Sequence, residues 1–297
     1  DTNIFGDETL EIPHAYVRAW LGQEDNPYSA SAEDGAEALA ESFYAQFKED
    51  AEELSFYEAI HLPELLERAG RKKARREVEE NHDWFWRILD AGDVYRTWGK
   101  LDEAWKLYQR CRGAAEELVQ VRGTPEGQRN LLASYERVAG IYEAQGKLEE
   151  ALKLHQQGLG IAEELVQTRG TPESQRDLSV SYGRIANIYK AQGRLEEALK
   201  LYQKDLAITE ELVQTRGTPG DQSDLSVSYN KVGDIYNAQG KLEEALKLYQ
   251  QGLAIAEELV QVRGTLKDQR DLSVSYNKVA AIYEAQGKLE EALKLYQ

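Results

Sequence analysis

The sequence predicts an all-α chain of stacked helix pairs. Three observations predict it. Tyr135, Tyr182, Tyr229 and Tyr276 recur every 47 residues, and Gly99, Gly146, Gly193, Gly240 and Gly287 keep the same interval. A fixed period of roughly 20–50 residues marks units that bury one face against their neighbours, rather than a single globular core. Within each interval the apolar residues follow helical spacing twice, before and after the glycine. Between intervals stands Arg-Gly-Thr-Pro, which stops one helix and starts the next.

Residues 1–83 do not repeat. Gly22 to Ser31, with Asn26-Pro27 and several small polar residues, reads as a loop. Ser31 to Leu54 reads as a helix, because Leu39, Phe43, Phe47 and Ala51 recur every four residues. Pro63 is expected to begin a short helix through Leu66. This segment is either a worn helical pair capping the array or a distinct small helical domain.

Residues 84–297 hold about five units of period 47, the last incomplete. The first helix of a unit, helix A, is clearest from Asp271 to Gln286. There Leu272, Tyr276, Val279, Ala280 and Tyr283 form one stripe, and Gly287 ends the helix. Helix B is clearest from Lys241 to Val262, about 33 Å at 1.5 Å per residue. Leu242, Ala245, Leu246, Tyr249, Leu253, Ala256, Leu259 and Val260 form its main stripe, with Leu248 and Ile255 on a second, as expected of a helix between two neighbours.

The joint recurs as Arg122-Gly123-Thr124-Pro125, Arg169-Gly170-Thr171-Pro172 and Arg216-Gly217-Thr218-Pro219. Gly closes helix B, Thr caps the next helix A, and Pro takes its first turn, where a missing N–H costs nothing. The copy Thr265-Leu266 indicates that Pro is not required. Arg122, Arg169, Arg216 and Arg263 complement the dipole at the end of helix B, worth about 0.3–1 kcal/mol each.

The small residues Ala139, Ala186, Gly233 and Ala280 resemble the helix-A pattern of the tetratricopeptide repeat. Tyr142, Tyr189, Tyr236 and Tyr283 follow three residues on; Ala151, Ala198, Ala245 and Ala292 and the aromatics Tyr202, Tyr249 and Tyr296 continue it in helix B. His155 and Asp205 depart from it, and Tyr95, Gly99 and Ala104 mark an atypical first copy. The family's usual period is near 34 residues, so this array looks like the long-helix bacterial arrays and those similar to kinesin light chain repeats. The resemblance implies a right-handed superhelical α-solenoid whose helix A lines a concave face for protein or peptide binding.

Three helix-A columns vary while the stacking residues repeat. They read Leu89, Glu136, Gly183, Asn230, Asn277; Asp93, Gly140, Asn187, Asp234, Ala281; and Arg96, Glu143, Lys190, Asn237, Glu284. Spaced i, i+4, i+7, they share one helical face. The candidate partner-binding residues are therefore Leu89, Asp93, Arg96, Glu136, Glu143, Asn187, Lys190, Asn230, Asp234, Asn237, Asn277 and Glu284. Asn side chains could hold an extended backbone and Lys190 could pair with a carboxylate; the alternative for these columns is plain solvent exposure.

Charge is uneven. Residues 1–67 carry 17 acidic and 2 basic side chains, most of the net −17. Such a segment repels nucleic acid and anionic lipid. The basic run Arg71 to Arg76 is followed by Glu77, Glu79 and Glu80, at i,i+4 from Lys73, Arg75 and Arg76; it reads as a solvated face or a contact with the acidic segment before it. Trp84, Trp86, Trp98 and Trp105 gather near the first copy, as packing between the N-terminal segment and the array, with Trp105 in a core column.

His14, His61, His82, His155 and Cys111 have no metal-ligand spacing. No phosphate loop or nucleophile motif stands in the chain, so no enzyme, cofactor or metal is expected. One cysteine and no run of about 18 apolar residues point to a cytoplasmic protein without a membrane span. The chain opens on Asp1 without Met and stops at Gln297 part-way through a unit. That suggests a fragment of a longer protein, or an end open to self-association. The expected function is a protein- or peptide-binding scaffold; the alternative is a regulatory arm of a larger signalling or effector protein.

Overall fold

The structure is a computed structural model that describes residues 32–51 and 54–296. Among these residues lie thirteen helices and no strand. They are α1 (Ala32–Glu49), α2 (Phe56–Arg68), α3 (Lys72–Glu79), α4 (His82–Thr97), α5 (Leu101–Arg122), α6 (Pro125–Ala144), α7 (Leu148–Arg169), α8 (Pro172–Ala191), α9 (Leu195–Thr215), α10 (Pro219–Ala238), α11 (Leu242–Val262), α12 (Leu266–Ala285) and α13 (Leu289–Tyr296). Gly22–Ser31, read from sequence as a loop, lies outside the described residues. The chain divides into two compact units, residues 1–137 and 138–297, with the division inside α6.

The punctuation of the sequence becomes backbone geometry. Gly170 closes α7 at φ 57° and Gly193 closes the turn after α8 at φ 75°, the left-handed region that a Cβ disfavours. Thr171, Thr218 and Thr265 each accept a bond from the N–H three residues on. Thr218 with Asp221, and Thr265 with Asp268, form full capping boxes. Leu266 takes the first turn in place of Pro and is 85% exposed, yet Thr265 still caps α12.

A further regularity sits at the A–B turn. Lys147 donates its N–H to the Tyr142 carbonyl at 2.8 Å, and its ammonium covers the Tyr142 ring at 5.8 Å. Arg194 covers Tyr189 at 4.1 Å and Lys241 covers Tyr236 at 5.5 Å in the same register. Such exposed cation–π contacts contribute about 0.5–1 kcal/mol each.

In the first unit, α2 packs against α1, α3 and α4, and α4 packs against α5. Phe43, Phe47 and Ala51 of the four-residue stripe are buried. The second helix begins at Phe56, not at Pro63, because Ser55 and Glu58 form a capping box. Pro63 therefore lies inside α2 and denies the Ala59 carbonyl its helical N–H partner. The buried Trp84 of α4 supplies the missing donor: its Nε1 donates to Ala59 O at 2.8 Å. Arg87 Nε donates to Leu54 O at 2.7 Å in the same junction. Trp105 is not core: it is 38% exposed. Its column is graded, with Leu152 buried, Leu199 and Leu246 half-buried and Leu293 exposed, so burial there depends on what covers the helix edge.

The basic run lies in and just before α3, and its three arginines pair with acids of the same helix end and of other helices. Arg71 pairs with Glu41 of α1, Arg75 with Glu67 of α2 at 2.9 Å and with Glu79 at 3.2 Å, and Arg76 with Glu80 and with Glu117 of α5. Glu77 takes Lys48 and the Tyr44 hydroxyl rather than Lys73.

In the second unit each core spans one pair and the next helix A. Ala186, Ala198, Tyr202, Val232 and Ile235 form one buried cluster; Ala245, Tyr249, Val279 and Ile282 form the next. Tyr236 packs against both. Gly233 allows this closeness: a Cβ there would lie 2.6 Å from Cε1 of Tyr249. This is stacking of helix pairs, each completing its neighbour's core.

Candidate partner-binding site

The tyrosine column of helix B reaches into helix A of its own pair. Tyr249 donates to Asp234 Oδ1 at 2.8 Å, Tyr202 donates to Asn187, and in the first unit Tyr108 donates to Asp93 at 2.6 Å. Gly140 and Ala281 remove that acceptor in two copies. The polar atom then turns to the glutamate one turn on: His155 Nε2 lies 2.7 Å from Glu143, and the Tyr296 hydroxyl bonds Glu284. His155 is thus buried for structural reasons.

A second set of contacts joins each helix A to neighbouring helices, in most cases the adjacent helix A. Lys190 Nζ lies 3.0 Å from Asp234 Oδ2, and Lys278 also pairs with Asp234. Burial pushes the Asp234 carboxyl up, but the bonds from Lys278, Tyr249 and Lys190 outweigh it and hold the pKa below the ordinary value. Lys231 Nζ lies 3.0 Å from Asp205 Oδ2, and Ser179 donates to the same buried carboxylate. In the first unit Arg137 Nε lies 3.0 Å from Asp93 Oδ2.

These contacts sort the twelve candidates. Leu89 is fully buried and leaves the set, since an apolar residue in that column serves packing. The Asn230 side-chain oxygen is buried without a protein partner, beside Gly252, at a cavity of about 50 Å³ that Val227 and Val274 also line. Asp93, Glu143 and Asp234 are engaged internally, and Lys190 meets an internal carboxylate rather than a free one. Arg96 lies 3.7 Å from Asp93, and Glu136 is half-buried. Asn187, Asn237, Asn277 and Glu284 are exposed.

Two helix-A columns absent from the candidates complete the face. Val180, Val227 and Val274 stay 37%, 42% and 44% exposed at one register in successive copies. Four residues on stand Arg184, Lys231 and Lys278, with Arg137 at the same register in the copy before. On α8, Val180, Arg184 and Asn187 fall at i, i+4 and i+7, one face of the helix. Both columns repeat their character from copy to copy, so variation between copies does not single them out.

Two of the joint arginines clasp the next helix, while Arg122 pairs back with Glu80. Arg216 Nε lies 3.0 Å from Asp221 Oδ2, and Arg216 Nη1 lies 3.1 Å from Glu173; Arg263 pairs with Asp268. The Arg216 bond holds the Asp221 carboxyl down at about 2. Cys111 is buried and burial pushes its thiol pKa up, the environment of an inert cysteine. Among the described residues no group of three His, Cys, Asp or Glu could hold a metal ion, and no helix is long and apolar enough to cross a membrane.

Tetratricopeptide repeat profiles match residues 130–211, 177–258 and 272–297, together just over half of the chain. No curated protein matches by sequence. Solved structures share the fold. BtubC (BKLC) from P. vanneervenii is 19% identical with TM-score 0.56, over 90% of this chain and 89% of that one. The nearly identical TPR-like repeats assigned to a kinesin light chain of Podosopora anserina are 22% identical with TM-score 0.51, over 73% and 93%. A Signal Transduction ATPase with Numerous Domains protein with a tetratricopeptide repeat sensor, from Pyrococcus horikoshii, is 18% identical with TM-score 0.53, over 95% of this chain and 37% of that one.

Proposed function

Because the chain belongs to the tetratricopeptide repeat family, a family of protein-interaction scaffolds, we propose that its helix-A face holds an extended peptide or protein segment. One observation carries this reading. Val180, Val227 and Val274 are exposed at the same register in three successive copies, each four residues before a cation. These valines stand outside the buried core clusters, although more than half of each is covered, Val227 and Val274 beside Ala256 and Leu259. A row of apolar side chains bordered by amide donors suits a backbone held by the exposed Asn187, Asn237 and Asn277 with its side chains over the valines.

The test is selection of extended peptides from a displayed random library on the full chain. Exchanging the three valines for serine (Val180→Ser, Val227→Ser, Val274→Ser) should lower the melting temperature modestly, leave the helical content unchanged and weaken the selected peptides at least tenfold. Unchanged affinity rejects the face.

A second reading is a sensor arm within a larger protein. It draws on the Pyrococcus horikoshii protein, whose name couples such repeats to an ATPase. An ATPase domain in the coding sequence on either side of this chain would favour it.

A further inference from the structure

Four helix-A cations share one register, Arg137, Arg184, Lys231 and Lys278, and the protein neutralises three of them. Arg137 and Lys278 each reach a carboxylate 44 residues back, on Asp93 and Asp234. Lys231 would find Asn187 there, which carries no charge. Asp205, 26 residues back and 2% exposed, supplies the carboxylate instead, at 3.0 Å. For Lys278 the position 26 residues back is Gly252, and its acid comes from the first register. Each of these cations therefore has one acid, from one register or the other.

Arg184 has neither. Gly140 stands 44 residues back and Gly158 stands 26 back. Arg184 is exposed and makes no ion pair or hydrogen bond among the described residues. A Cβ built on Gly140 would meet nothing within 4 Å, so the place of the missing acid is open space. Beside it, the exposed Asn187 accepts from Tyr202 with its carbonyl oxygen, which leaves its amide N–H groups as what it can offer a ligand.

We propose that the partner supplies the missing acid: a side-chain carboxylate of an extended peptide pairs with Arg184 in the space beside Gly140. The flanking residues of that peptide lie over Val180. The inference rests on the helix-A reading above and adds the chemistry of the partner. An arginine fork fits a carboxylate in a bidentate pair, and an Arg with no internal partner has no existing ion pair to break in making it.

The experiment uses the same library selection on the full chain, with binding then measured for synthetic peptides ending in a C-terminal amide. The selected peptides are expected to share Asp or Glu at one position. Changing that residue to its amide, or Arg184→Gln in the protein, should each weaken binding about tenfold, and the two together no more than either alone. Gly140→Asp supplies the acid from within and should abolish the preference without lowering the melting temperature. Peptides without a fixed acid, unchanged affinity of Arg184→Gln, or binding that needs a free C-terminal carboxylate each overturn the inference. If the serine variants release the peptides while Arg184→Gln does not, the inference falls and the helix-A face stands. If the serine variants release nothing, or no peptide is selected, both fall.

Discussion

Exchange of Trp84 for phenylalanine isolates one hydrogen bond on which the first unit turns. The indole is fully buried and its Nε1 donates to Ala59 O at 2.8 Å. That carbonyl has no helical donor, since residue 63 is proline. Trp84→Phe keeps an aromatic ring but leaves a buried acceptor unpaired, a loss of about 1–3 kcal/mol, to which the smaller ring adds a packing loss. Pro63→Ala restores an N–H at the position that bonds Ala59 O. In that background Trp84→Phe should lose only the packing part. The difference between the two backgrounds should be about 1–2 kcal/mol. Stacked helix pairs need not unfold in one step, so the assay is hydrogen exchange of the α2 and α4 amides by mass spectrometry. Equal losses in both backgrounds, within about 0.5 kcal/mol, would refute the reasoning.

Three further outcomes follow from the second unit. Gly233→Ala places a methyl 2.6 Å from the Tyr249 ring, and the overpacking should cost about 1–3 kcal/mol in a melting experiment. Thr265→Ala removes the cap of α12 and should cost about 1 kcal/mol, seen as faster exchange in its first turn. The Asp221 carboxyl, lowered to about 2 chiefly by its bond from Arg216, stabilises the folded state above the ordinary carboxylate pKa of about 4. That contribution should fade as pH falls from about 4 toward 2, and an acid titration of Asp221→Asn should lose this part of the transition.

Much of the fold was legible because its signals are local. A glycine that must take positive φ, a threonine one residue before a helix and apolar residues at helical spacing are all visible within a few positions. The start of α2 was legible too, since Ser55-Phe-Tyr-Glu58 is a capping-box sequence. Pro63 is nonetheless a stronger start signal in isolation, and what makes an interior proline tolerable, the Trp84 donor, lies 25 residues away from the carbonyl it serves. The candidate face was read less well. Variation between copies points to positions where function or drift acts, but several variable residues are bound to one another: Asp234 to Lys190 and Lys278, Glu143 to His155. Those pairings span 12 to 44 residues and appear only when the helices are placed side by side. Leu89 shows the same limit, since a column that is polar in three other copies is core in the first.

Tyr236 serves two cores at once, which links the fates of neighbouring pairs. Opening one pair strips a wall from the next, so local melting should travel along the chain by contagion instead of staying confined. Amides near Tyr236 would then exchange slowest in the second unit, and protection would decline in steps, pair by pair, toward its margins.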